Sequence, residues 1–132
     1  MAVRPSLSGV FPVLPTPFDA QGRPDAASLR RLVDYLIRCG VDGMTYPGVA
    51  SEVGQLAPDE RQSLLDAVLS EVAGRVPVIA GVSSSDTATT VRLAAQASAR
   101  GAAALMVAVP PDRKGAAEQI AYFSEVAQAA EG

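Results

Sequence analysis

The chain has 132 residues, 48% hydrophobic and 19% charged, a balance that suits one globular domain with a sizeable core. Its net charge of −3 comes without a basic block, which argues against nucleic acid as a partner, and no run of about 18 apolar residues or charged-then-apolar leader points to a membrane. Histidine is absent and Cys39 is the one cysteine, which excludes Ser-His-Asp and Cys-His catalysis, most zinc and iron sites and an internal disulfide; a cytoplasmic setting is expected.

After a short polar lead, Gly9-Val10-Phe11-Pro12-Val13-Leu14 reads as a first strand, closed by Pro15-Thr16-Pro17-Phe18 and a turn at Asp19-Ala20-Gln21-Gly22. Pro12 has no amide to donate to a ladder. From Asp25, a candidate N-cap, the apolar positions Leu29, Leu32, Val33, Leu36 and Ile37 fall at helical spacing, and Gly40 supplies the stop. A second strand over residues 42–47 leads into the loop Gly48-Val49-Ala50-Ser51-Glu52. The next helix begins with Pro58 at its first position, carries Leu64, Leu65, Val68, Leu69 and Val72, and stops at Gly74. Ala57 is a poor cap there, so Glu60 is expected to hold the helix start without a reciprocal partner.

Residues 76–81 form a third predicted strand, and Gly81-Val82-Ser83-Ser84-Ser85-Asp86 caps a third helix with Val91, Leu93, Ala94 and Ala97, ending at Gly101. A fourth, continuously apolar strand over residues 104–109 closes at Pro110-Pro111, and a fourth helix from about Ala116 carries Ile120, Phe123 and Val126. Strands that are apolar throughout, each followed by a helix, indicate a parallel α/β sheet covered on both faces. Two architectures satisfy four βα units: a small doubly wound sheet, or the first half of a (β/α)₈ barrel, for which roughly 250 residues are usual. Both place ligands at the C-terminal ends of the strands. The loop 48–52 is the strongest candidate there. A glycine at Gly48 permits positive φ or the close approach of a ligand, and the amides of Val49, Ala50 and Ser51 suit an anion such as a carboxylate.

Thr16-Pro17-Phe18 with Gly22, Gly48 and Glu52 in a G-T-T-G-E-like loop, Leu56 with Glu60-Arg61, Pro77-Val78-Ile79-Ala80-Gly81 with its serines, and Pro110 occur in order along nearly the whole chain. In these motifs the chain resembles the dihydrodipicolinate synthase and N-acetylneuraminate lyase family of Schiff-base aldolases. The resemblance implies that residues 1–132 form one partial TIM-barrel domain, βα units one to four. It also implies a lyase or aldolase that joins or splits a 2-oxo acid such as pyruvate through an imine on a lysine of strand six, with no cofactor or metal and as a homo-oligomer. That lysine falls outside this chain, whose one lysine, Lys114, follows the fourth strand and does not match it.

Two departures from the family pattern touch the site. Val49 and Ala50 stand where the family has paired threonines, and Ser51 replaces the second glycine. The substrate-binding set implied is therefore Gly48, Val49, Ala50 and Ser51 with Thr16, and Glu52 is expected to brace the loop by accepting its amides. Pro111-Asp112 follows Pro110 where the family tends to carry a proton-relaying tyrosine, which leaves Tyr46 as the substitute. The alternatives are a half-barrel with a structural or binding role and a small doubly wound ligand-binding domain.

Overall fold

The computed structural model describes residues 6–130, so the start of the polar lead and the last two residues lie outside the described residues. The elements are α1 (Ala26–Arg38), β1 (Met44–Tyr46), two single-turn 3-10 helices (Val49–Ser51 and Val53–Gln55), α2 (Pro58–Val72), β2 (Val78–Gly81), α3 (Thr87–Ala99), β3 (Ala104–Met106) and α4 (Ala116–Ala130).

Capping chemistry sets the helix starts. The Asp25 carboxylate accepts the Ser28 amide at 2.9 Å, and the Asp86 carboxylate accepts the Thr89 amide at 2.7 Å, so each satisfies one of the orphan donors of its first turn. At α2 the expected half of a capping box forms: Glu60 Oε2 accepts the Ala57 amide at 2.8 Å, and Ala57 has no side-chain oxygen to return the bond. The far end of α2 turns one residue earlier than the predicted glycine stop, with Ala73 at φ 49° ahead of Gly74 at φ 73°.

The helices bury the faces that the apolar spacing marks: Leu29 and Val33 from α1, Leu64, Leu65, Val68 and Val72 from α2, Leu93, Ala94 and Ala97 from α3. Each fully buried Leu or Val stabilises by about 1.5–3 kcal/mol relative to leaving it in water. α1 packs on α2, and α3 on α4. Helix α4 departs from its expected stripe. Val126 is buried together with Tyr122, while Ile120 and Phe123 are 67% and 41% exposed. The Tyr122 hydroxyl donates to the Ala108 carbonyl at 3.2 Å, and this polar tie to the chain beyond β3 sets the rotation of the helix.

The sheet is parallel, in the sequential order β1-β2-β3, with Met44 opposite Val78 and Ile79 opposite Ala104. A small doubly wound sheet would put the first predicted strand between β1 and β2, and among the described residues β1 and β2 pair directly. The predicted first strand is reduced to one parallel bridge, Val13 to Thr45, on the outer side of β1. Prolines explain the reduction. Thr45 N donates to Pro12 O and Leu14 N to Thr45 O, but the next amide on either side would come from Pro12 or Pro47, which have none. The predicted fourth strand likewise stops at Met106 instead of residue 109. The Ala108 amide that would continue its ladder donates to Ser83 Oγ at 2.9 Å. Gly81 ends β2 where a Cβ would lie 1.8 Å from the Pro47 carbonyl oxygen, so only glycine lets the two chains approach this closely.

Candidate functional site

The loop after β1 sits at the C-terminal end of the strand, as expected. Gly48 has φ −133° and ψ −168°, extended backbone that any residue adopts. Its requirement is close approach, since a Cβ there would lie 2.7 Å from Val13 Cγ1. The left-handed residue of the loop is Glu52, at φ 56°. Glu52 is exposed and braces the loop through its backbone, its carbonyl accepting the Gln55 amide at 2.8 Å, where acceptance by the carboxylate was expected.

Behind the loop three hydroxyls tie it to the protein, two of them in series. Thr16 Oγ1 donates to the Ser51 carbonyl at 2.7 Å, and Tyr46 Oη lies 2.8 Å from the same Oγ1. A threonine hydroxyl has one proton, so the Tyr46 hydroxyl must be the donor to Thr16. Ser51 Oγ donates to the Leu14 carbonyl and accepts the Gly48 amide at 2.9 Å. The Leu14 carbonyl is the acceptor that a residue with an amide at position 47 would have taken, so Ser51 stands in for a missing rung of the ladder. Ser51 and Tyr46 are fully buried and Thr16 is 4% exposed. Burial pushes the Tyr46 phenol above its ordinary pKa, against the opposing effect of the nearby Arg61 charge.

On the open side, Val49 is 93% exposed and Ala50 is exposed. Their amides open the 3-10 turn and have no partner within it. Beside them opens a cleft of about 210 Å³ whose lining includes Gly48, Val49, Arg61, Ser83, Met106 and Val107. Arg61, from the first turn of α2, donates to the carbonyls of Ser83 at 3.1 Å and Gly81 at 3.2 Å. Its Nε is buried without a partner, and burial lowers its pKa. Among the described residues no cluster of three His, Cys, Asp or Glu is placed to hold a metal ion.

The structure thus brings Thr16, Tyr46, Gly48 and Ser51 together, sets Val49 and Ala50 at the mouth, and leaves Lys114 exposed in the loop between β3 and α4. The Ser51 hydroxyl faces the protein, its proton held by Leu14. Two residues of this site carried no functional reading in the sequence. Arg61 was visible as part of the Glu60-Arg61 pair, and Ser83 as the first of three serines, but neither local pattern says that a helix start and a strand end meet at one cleft.

The dihydrodipicolinate synthetase family profile matches residues 6–132. The chain belongs to this family. A 4-hydroxy-tetrahydrodipicolinate synthase of Xanthomonas axonopodis pv. citri is 42% identical over 106 residues, covering 80% of this chain and 35% of that protein. Another, from Mycolicibacterium paratuberculosis, is 40% identical over 129 residues, covering 95% of this chain and 42% of the relative. Among solved structures, a dihydrodipicolinate synthase from Rhodopseudomonas palustris superposes with TM-score 0.85 at 31% identity over 97% of this chain and 42% of its own. A prophage protein of the dihydrodipicolinic acid synthase family from E. coli K12, in complex with pyruvate, superposes with TM-score 0.87 at 33% identity over 93% of this chain and 42% of its own. The chain therefore spans about two fifths of the length of the family members it matches.

Proposed function

We propose that the chain is the N-terminal portion of a Schiff-base lyase or aldolase of the dihydrodipicolinate synthetase family, acting on a 2-oxo acid such as pyruvate. Its four strand-helix units, counting the bridged segment before α1 as the first, make half of an eight-unit TIM barrel. The observation that supports this reading is the loop 48–52: it follows a parallel strand beside the cleft lined by Gly48, Val49 and Arg61, and the amides of Val49 and Ala50 have no partner within its 3-10 turn. Those amides take the substrate carboxylate. Gly48, Thr16 and Ser51 serve the substrate by holding the loop in place. Tyr46 is the group assigned to proton relay, its phenol held above its ordinary pKa by burial.

The imine-forming lysine belongs to a part of the barrel outside residues 1–132. Lys114 lies exposed in a loop, without the dry surroundings that make a lysine amine nucleophilic. The enzyme works in the cytoplasm as a homo-oligomer and needs neither cofactor nor metal. Borohydride reduction in the presence of pyruvate tests the assignment. In a complete chain, mass spectrometry should find pyruvate on a lysine beyond residue 132, and residues 1–132 alone should stay unlabelled. Pyruvate trapped on Lys114 would overturn the alignment on which the reading stands.

A further inference from the structure

We propose that Arg61 is the counter-charge for the substrate carboxylate in the cleft at the strand ends. This rests on the Schiff-base reading of the loop and adds to it a specific cation that the loop motif does not contain. A carboxylate has about four acceptor sites. The mouth of the cleft offers it two amides, because Val49 and Ala50 lack hydroxyls, the Gly48 amide is taken by Ser51 Oγ, and the Ser51 proton is held by Leu14. Two bonds leave about two of the carboxylate's acceptor sites for a further donor.

Arg61 lines the same cleft as Gly48 and Val49. Among the described residues Arg61, like Arg31, Arg92 and Arg113, enters no ion pair, and of these four it is Arg61 that lines the cleft. Its bonds go to two neutral carbonyls, which occupy two of its five N–H donors. A partly buried cation in that state gains from an anion, since its desolvation is otherwise uncompensated. The guanidinium is also held in advance, its Cα by α2 and its fork by the end of β2, so little side-chain entropy is lost when a ligand arrives. A planar carboxylate matches that fork better than it matches a point charge. The class of ligand is an anionic 2-oxo acid, and an uncharged 2-oxo ester is discriminated against.

The experiment is an NMR titration of the complete enzyme, residues 1–132 together with the rest of the barrel, with pyruvate and with methyl pyruvate. Pyruvate should shift the Val49 and Ala50 amides together with the Arg61 Nε–H resonance, and should bind about 10-fold or more tighter than the ester. Arg61→Lys keeps the charge without the fork and should weaken pyruvate about 10-fold, and Arg61→Gln should abolish the preference over the ester. Should a variant unfold, the Nε–H shift and the acid-to-ester ratio of the unsubstituted chain decide. Loop amides that shift while Arg61 Nε–H does not would overturn this inference and leave the loop reading standing. Pyruvate that shifts neither would overturn both.

Discussion

Ser51 has one hydroxyl proton and directs it at the Leu14 carbonyl, while its oxygen accepts the Gly48 amide. Removing that hydroxyl strands two buried backbone groups at once, so Ser51→Ala should cost about 1–3 kcal/mol in a urea unfolding experiment. An unchanged midpoint would mean that the loop finds other partners. At the opposite end of the same segment, Ala57 sits at the N-cap of α2 with φ −63° and ψ 155°, the extended geometry of a capping residue, but with no oxygen to use. Ala57→Ser should therefore stabilise the protein by about 1 kcal/mol, read as a rise in Tm, and a fall in Tm would show the serine side chain turned away from the helix. Both residues were named in the sequence. The weak cap was legible because capping is a bond between neighbours three residues apart. The direction of the Ser51 hydroxyl was not, because its acceptor is 37 residues away.

Helices α1 and α3 begin on carboxylates whose pKa values are lowered, Asp25 by its bonds with the Ser28 side chain and amide and Asp86 by those with Thr89. A carboxylate with a lowered folded pKa contributes stability that is fully present above the unfolded value, about 3.9, and is lost as pH falls through the folded one. Thermal melts should accordingly show stability dropping below about pH 4, with a shallower drop when Asp25→Asn and Asp86→Asn replace both caps. Equal slopes would remove the caps from the acid response. Helix α4 supplies a contrast between faces. Ile120→Gln on its exposed side should change stability by less than about 0.5 kcal/mol, while Tyr122→Ala on the buried side should cost about 3–5 kcal/mol. Apolar spacing picked Ile120 and Phe123 because it weighs hydrophobicity alone. The element was oriented by Tyr122, an aromatic whose hydroxyl needs a partner as well as a core.

Among the described residues the two outer edges of the sheet remain open, one along the bridged segment with Val10 63% and Val13 38% exposed, the other at β3 with Met106 40% exposed. Open apolar edges pair with further strands. The 132-residue polypeptide by itself should therefore sediment as dimers or larger species in analytical ultracentrifugation, and a monomer that melts cooperatively would refute this. The alternation of apolar strands with capped amphipathic helices was enough, from the sequence, for a parallel α/β chain with α1, α2 and α3 starting at Asp25, Ala57 and Asp86, and the order of its motifs was enough for the family. These properties depend on residues within one or two helical turns of each other, so the chain displays them before it folds. Tertiary structure alone decided that prolines cut the first strand to one bridge, that Ser51 faces Leu14 and that Arg61 lines the cleft beside Val49. Ser51 meets an acceptor 37 residues away, Arg61 is held in place by carbonyls 20 and 22 residues away, and a ladder bond is lost on one strand because of a proline on its neighbour; such meetings are fixed only when strands, loop and helix are packed together.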